Sequence, residues 1–197
     1  MTMTLDGYVA GPNNELDWMT KTLMTDSEEV QDNLEHLKSF NTGIMGYPTF
    51  VGMNAYWKLI AQDPKSSDNE RNIANIITEY YAYVLSNKDE SLSTENSELI
   101  LYKDDSDIVN AVKTIKKRVG NRIGIAGGVR TAQTLSKLGL IDEYLLTIHP
   151  VVIGSGKPLF ITKTNLNLDE LKTYKNGIIR SRYEVNNSTN AKLFNFG

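Results

Sequence analysis

The stretch Ile123-Gly124-Ile125-Ala126-Gly127-Gly128-Val129-Arg130-Thr131 opens inside a strand read over 122–126, and then places two glycines side by side. It continues into a helical pattern over 129–138 that stops at Gly139. A strand turning sharply into a helix is the building unit of an α/β sheet. Upstream, residues 99–102 read as a strand. Residues 104–119 read as a helix, with Ile108, Val112, Ile115 and Val119 on one face. The acidic start of that helix (Asp104, Asp105, Asp107) and its basic end (Lys116, Lys117, Arg118) both complement the helix dipole, and Gly120 ends it. Downstream, 144–152 is a longer apolar strand broken by Gly154-Ser155-Gly156. Asn176-Gly177 joins 171–175 to 178–185 as a hairpin.

The amino-terminal half repeats the alternation less regularly. Residues 1–5 read as the end of a strand that starts abruptly and runs into turn-forming Gly, Pro and Asn through Asn14. Thr25-Asp26-Ser27-Glu28 has the spacing of a capping box, followed by Val30, Leu34 and Leu37 on one helical face. Residues 42–45 form a short strand ending at Gly46, and Pro48 suits the first turn of a helix. Residues 61–72 and 87–97 are polar and read as surface loops, while 80–86 reads as a strand whose tyrosines pack a half-buried face. With no repeat or linker, the chain reads as one domain, 1–197: an α/β fold with a mostly parallel sheet and an antiparallel edge.

Composition narrows the chemistry. The chain has 197 residues, 40% of them hydrophobic, with 21 basic and 24 acidic side chains. The formal charge of -3 argues against nucleic acid as a partner. No apolar run approaches the ~20 residues that span a bilayer, and no basic-then-apolar leader opens the chain, so a cytoplasmic protein is expected. Zero cysteines and two histidines remove disulfides, thiolate nucleophiles and Cys- or His-rich metal cages, so no metal is expected. What remains is backbone amides, carboxylates, hydroxyls or a borrowed cofactor.

Four segments could carry chemistry. Gly127-Gly128 at a helix start offers exposed N–H groups to a phosphate, although the same pair serves a plain tight turn and spacing does not choose. It is neither a dinucleotide GxGxxG nor a P-loop. Asp6, Glu15 and Asp17 lie near Trp18 and could frame a pocket for a heterocycle, or could be ordinary turn residues around a core tryptophan. Gly46-Tyr47-Pro48-Thr49 is a second strand-to-helix junction. Gly154-Ser155-Gly156-Lys157 could hold a phosphorylated substrate or be a bland loop, and His149 reads more readily as a satisfied core histidine than as a general acid.

In this order, Thr4-Leu5-Asp6-Gly7-Tyr8-Val9-Ala10-Gly11-Pro12 with Glu15-Leu16-Asp17-Trp18 resembles the opening of the dihydrofolate-reductase-like superfamily. The group that it is most similar to is built like the C-terminal reductase domain of the riboflavin-biosynthesis protein RibD. Ile44-Met45-Gly46-Tyr47-Pro48-Thr49-Phe50, Tyr83-Val84-Leu85-Ser86 and Ala126-Gly127-Gly128 resemble its later junctions. The longest match runs from Gly139-Leu140-Ile141-Asp142-Glu143 through His149-Pro150-Val151-Val152-Ile153-Gly154-Ser155-Gly156-Lys157-Pro158-Leu159-Phe160.

The resemblance implies a dihydrofolate-reductase-like three-layer α/β/α fold and an NADPH-dependent oxidoreductase acting on a small heterocycle. The activity it brings is that of a 5-amino-6-(5-phosphoribosylamino)uracil reductase of riboflavin biosynthesis. Dihydrofolate reductase and a non-catalytic nucleotide-binding protein of the same fold are the alternatives. It further implies cofactor contacts at Ala10, Gly46, Tyr47, Thr49, Ser86, Asn87, Lys88, Ala126, Gly127, Gly128, Val129, Arg130 and Thr131. Substrate contacts fall at Trp18, Gly154 and Gly156, with Asp17 and Asp6 as candidate catalytic groups. A homodimer is expected, through the 144–152 strand or the terminal hairpin. Two departures stand out. Tyr47 replaces the arginine usual at that junction, leaving Lys88 or Arg130 to meet a 2′-phosphate. The family's full first strand is also shortened here to a few residues, so either the start is trimmed or the sheet lacks part of a central strand.

Overall fold

The computed structural model describes residues 1–22, 25–120, 122–125 and 128–186. Three parallel strands, β3 (Thr42–Gly46), β4 (Tyr81–Ser86) and β5 (Ser97–Leu101), join a two-residue β6 (Gly124–Ile125) in the order β5-β4-β3-β6. A second sheet has the order β1-β7-β10-β9. In it β1 (Thr2–Thr4) lies parallel to β7 (Glu143–His149), and β9 (Leu166–Thr173) and β10 (Ile179–Val185) form the antiparallel edge. A small third pair joins β2 (Tyr8–Ala10) to β8 (Lys157–Pro158).

Alternation along the strands decides which helix covers which face. Ile44, Tyr83 and Leu85 point to one side, where they meet Ile108, Val112 and Ile115 of α4 (Asp105–Val119) and Ala132 and Leu135 of α5 (Val129–Lys137). Met45, Ala82 and Val84 point to the other side, against Phe50 of α2 (Tyr47–Gln62). Behind α2, Val30 and Leu34 of α1 (Ser27–Lys38) pack with Ile73 of α3 (Asp68–Glu79). The result is the α/β fold expected, in three layers.

The local departures have physical causes. The cap of α1 is Asp26 rather than Thr25: its carboxylate accepts from the N–H groups of Glu28 and Glu29, while Thr25 donates back to the Thr22 carbonyl. The polar run 61–72 is a loop only in part, because Ser67 and Glu70 form a capping box that starts α3. Its first turn is polar because it faces water, which hid the helix behind a loop-like composition. Of the strand expected at 122–126, the described residues pair only at Gly124 and Ile125, and the long strand expected at 144–152 ends at His149.

The most consequential difference is that no ladder joins the two four-stranded sheets among the described residues. β1 is three residues long and reaches β7 only from Thr147 to His149. Beyond it the Met1 amine donates to the Leu145 carbonyl. Between β6 and β7 lies a cavity of about 630 Å³, walled by Ile44, Val112, Ile125, Leu135, Tyr144 and Leu145. β1 thus stands at the edge of its sheet as a three-residue strand, and apolar side chains wall the cavity between the two sheets.

Candidate active site

Parallel sheets bind ligands beyond the carboxyl ends of their strands, at the point where the strand order reverses. Here β3 is that point, since the chain leaves it first toward β4 and β5 and then returns to place β6 on its other side. Gly46 ends β3 and caps α2, and Gly128 caps α5; neither helix start is capped by a side chain. The leading N–H groups of α5, and those of Tyr47 and Thr49 in α2, where Pro48 has none, are therefore without a side-chain cap and can face an anion.

The two junctions also touch. A Cβ on Gly128 would sit 2.6 Å from Thr49 Oγ1, and a Cβ on Gly46 would sit 3.0 Å from Thr131 Oγ1. Gly128 has a φ of +74°, a conformation that L side chains rarely adopt. Two bare helix starts and two threonine hydroxyls thus converge on a cradle that only glycine leaves open. The structure thus brings Gly46, Thr49, Gly128 and Thr131 together, at helix starts of the kind that can hold a pyrophosphate group.

The other expected cofactor residues divide. Ser86 ends β4 in a buried position and accepts the N–H of Lys88, with Asn87 and Lys88 exposed beside it. Arg130 is exposed in the first turn of α5, and Val129 packs into the main core. Tyr47 packs with Met45, Phe50 and Val84, so an apolar contact stands where the family's cation was expected. Ala10 is buried in β2. Ala126 and Gly127 lie outside the described residues.

On the second sheet, Asp6 has a structural task. Its carboxylate accepts the N–H groups of Ile153 and Gly154, the latter at 2.8 Å. The Thr4 hydroxyl, together with those N–H groups, holds its pKa below the usual carboxylate range. An ionised carboxylate with its oxygens engaged is a tie between the 4–10 segment and the 150–158 loop, not a proton donor. The same bond takes the Gly154 N–H away from any substrate. Gly156 is needed for a different reason: a Cβ there would lie 2.3 Å from the Ala10 carbonyl oxygen, across the β2–β8 contact. Asp17 opens a short 3-10 turn (Asp17–Met19) with its side chain exposed, while its carbonyl accepts from Thr20.

Trp18 stands edge-on to His149, ring centroids 5.3 Å apart. His149 is 1% exposed, with Nδ1 2.6 Å from Thr22 Oγ1. Burial pushes its pKa down, so it is a neutral imidazole at pH 7. Thr22 was invisible in the sequence, because its partner lies 127 residues away.

The model of the RibD C-terminal domain matches residues 1–180. The chain belongs to that family. Among its relatives is the uncharacterized protein YyaP of Bacillus subtilis (strain 168), 30% identical over 189 residues that cover 94% of this chain and 93% of that protein. The fold matches a Shewanella sp. PV-4 protein provisionally ascribed to riboflavin biosynthesis, with TM-score 0.66, 23% identity, and 94% and 96% of the two chains covered. It also matches a diaminohydroxyphosphoribosylaminopyrimidine deaminase/5-amino-6-(5-phosphoribosylamino)uracil reductase from Thermotoga maritima. There the TM-score is 0.62 and the identity 13%, over 93% of this chain and 54% of that one. Membership in the RibD C-terminal family supports a reductase of the RibD type. Among the described residues, no helix is long and apolar enough to cross a membrane.

Proposed function

We propose that the protein is an NADPH-dependent reductase of a small heterocycle, of the 5-amino-6-(5-phosphoribosylamino)uracil reductase type, working in the cytoplasm. The observation that carries this reading is the cradle at Gly46, Thr49, Gly128 and Thr131, where two uncapped helix starts meet at the switch point of a parallel sheet. When bound, NADPH supplies a two-electron reducing equivalent. The chain's own part is to bind and to orient. The N–H groups opening α2 and α5, with the two threonine hydroxyls, hold pyrophosphate charge. Ser86 and Asn87 offer polar contacts for a ribose, and Lys88 and Arg130 are the exposed cations for a 2′-phosphate in place of Tyr47. The Asp6 tie keeps the floor of the acceptor side in register with the 150–158 loop, and orientation of this kind accounts for much of an enzyme's rate.

Titration with NADPH and with NADH, followed by cofactor fluorescence, tests the reading. NADPH is expected to saturate at micromolar concentration and NADH more weakly. If neither binds, the reductase reading fails and a scaffold role of the same fold takes its place. Consumption of NADPH is then followed with the ribosylaminouracil phosphate and with dihydrofolate.

A homodimer belongs to the same proposal, but the route through the long apolar strand is closed. β7 lies inside its sheet, paired on both sides by β1 and β10. The outer edge is β9, in the terminal hairpin, where Leu168 and Leu171 are exposed. A solution mass twice the 22.1 kDa of one chain is expected. Reversion to that single-chain mass on exchanging Leu168 and Leu171 for lysine checks the edge.

A further inference from the structure

β1 and β7 run parallel and end level, Thr4 beside His149. At that shared carboxyl end the protein buries polar groups. Thr4 is 0% and His149 1% exposed. The Thr22 hydroxyl lies 2.6 Å from His149 Nδ1 and 3.4 Å from the Met19 carbonyl, and we assign its proton to Nδ1, the nearer acceptor. That assignment leaves the imidazole proton on Nε2. Thr22 is itself held from the far side, because Asn176 of the hairpin turn donates its side-chain amide to the Thr22 carbonyl. Next to the imidazole, the Trp18 ring stands at 86° to it, and Trp18 Nε1 is buried with no hydrogen-bond partner among the described residues. A buried N–H without an acceptor is costly and rare in native proteins, and it asks for an explanation.

We propose that His149, oriented by Thr22, and Trp18 form a two-donor recognition site for a ring carbonyl oxygen of a planar heterocycle, whose two lone pairs accept the two N–H groups. This deepens the reductase reading and rests on it. His149 acts as a fixed neutral donor that positions the acceptor molecule, and it does not deliver a proton. A ring presenting a donor there is refused, since the two N–H groups would face an N–H group. The cover over the site is slight: the Asp17–Met19 turn buries none of its own residues. Its hydrogen bonds are local, from the Thr20 hydroxyl to the Asp17 carbonyl and from the Thr22 backbone N–H to the Met19 carbonyl, so it can lift without breaking a ladder.

The test uses the full chain carrying Trp57→Phe, which leaves Trp18 as its one tryptophan, since the sequence has two. The probes are 5-amino-6-(5-phosphoribosylamino)uracil and dihydrofolate for the acceptor site and NADPH for the cofactor site. Binding of either heterocycle is expected to change Trp18 emission. His149→Leu is expected to raise the dissociation constant and KM for the heterocycle at least tenfold while NADPH affinity stays within twofold. His149→Gln, whose amide N–H can replace Nε2–H, recovers most of that loss, a rescue that a purely structural histidine would not show. Thr22→Val, which frees the tautomer, falls between them and serves where the leucine variant does not fold. Unchanged heterocycle affinity in His149→Leu, or heterocycle binding that leaves Trp18 emission unmoved, overturns the inference. So does NADPH binding without any heterocycle binding at millimolar concentration. If NADPH fails to bind while a heterocycle still reports through Trp18 and weakens in His149→Leu, the reductase reading falls and the donor pair stands.

Discussion

Replacing Gly128 with valine is expected to raise the NADPH dissociation constant at least ~100-fold, the scale of losing several charge-assisted contacts at once. Two separate costs combine. The backbone at Gly128 has φ +74°, where a β-branched residue is strained by about 1–3 kcal/mol. Any Cβ there also lies 2.6 Å from Thr49 Oγ1. Thr49 can rotate away, but its hydroxyl then leaves the cradle, and the valine methyls take the space beside the α5 N–H groups that a phosphate needs. Fluorescence titration reads the binding and urea unfolding reads the strain. The control is Gly52→Ala in the middle of α2, where an added Cβ meets nothing within 4 Å. That variant should gain up to about 1 kcal/mol from helix propensity and leave cofactor affinity unchanged. If Gly128→Val binds NADPH like the parent, the cradle is not the cofactor site.

The second large effect is on stability against pH. Burial is the main reason the His36 pKa drops from 6.5 to about 4, and the positive charges of Arg180, the amino terminus, Arg122 and Arg182 push the same way. Between those two values the unfolded chain binds a proton that the folded protein refuses. Stability is therefore full above pH 6.5 and falls as the pH drops toward 4. A tenfold difference in proton affinity is worth about 1.4 kcal/mol. Because His36 keeps some contact with water, screening reduces its share to about 1–2 kcal/mol. His149, lowered by burial, and Asp26 and Asp104, held low by hydrogen bonds at their helix starts, pull in the same direction. Glu29, raised by burial, opposes them. His36→Phe keeps a ring against Phe40, its edge-on neighbour at 5.1 Å, and removes the titration. Its unfolding free energy should fall less than the parent's between pH 6.5 and 4; parallel curves for the two proteins would show that His36 plays no part.

What could be read from the chain follows from how local each signal is. α4 is announced by its own acidic start, basic end and Gly120, whose φ of +61° confirms the left-handed stop. The hairpin is announced by Asn176-Gly177, with Gly177 at φ +83°. The pairing of two glycine junctions was legible as a pattern, but their mutual contact was not, since Gly46 meets Thr131 only once β3 and β6 are neighbours. Asp6 stood as a candidate catalytic group because sequence shows a carboxylate and not the Gly154 N–H 148 positions away that engages it. α3 was missed because its first turn is solvated, so its polar residues resemble a loop until Ser67 and Glu70 are read as a cap.

The gap between the two sheets has a meaning beyond packing. The proposed cofactor cradle is built on the β5-β4-β3-β6 sheet, and the proposed His149–Trp18 site on the sheet that contains β1 and β7. A hydrogen-bonded ladder would set the distance between donor and acceptor molecules in steps of one strand spacing. Here Ile44, Val112, Leu135 and Tyr144 set it across the 630 Å³ cavity. If the two proposed sites hold the two reactants, their alignment would rest on these side chains, and one methylene more or less there is expected to shift it.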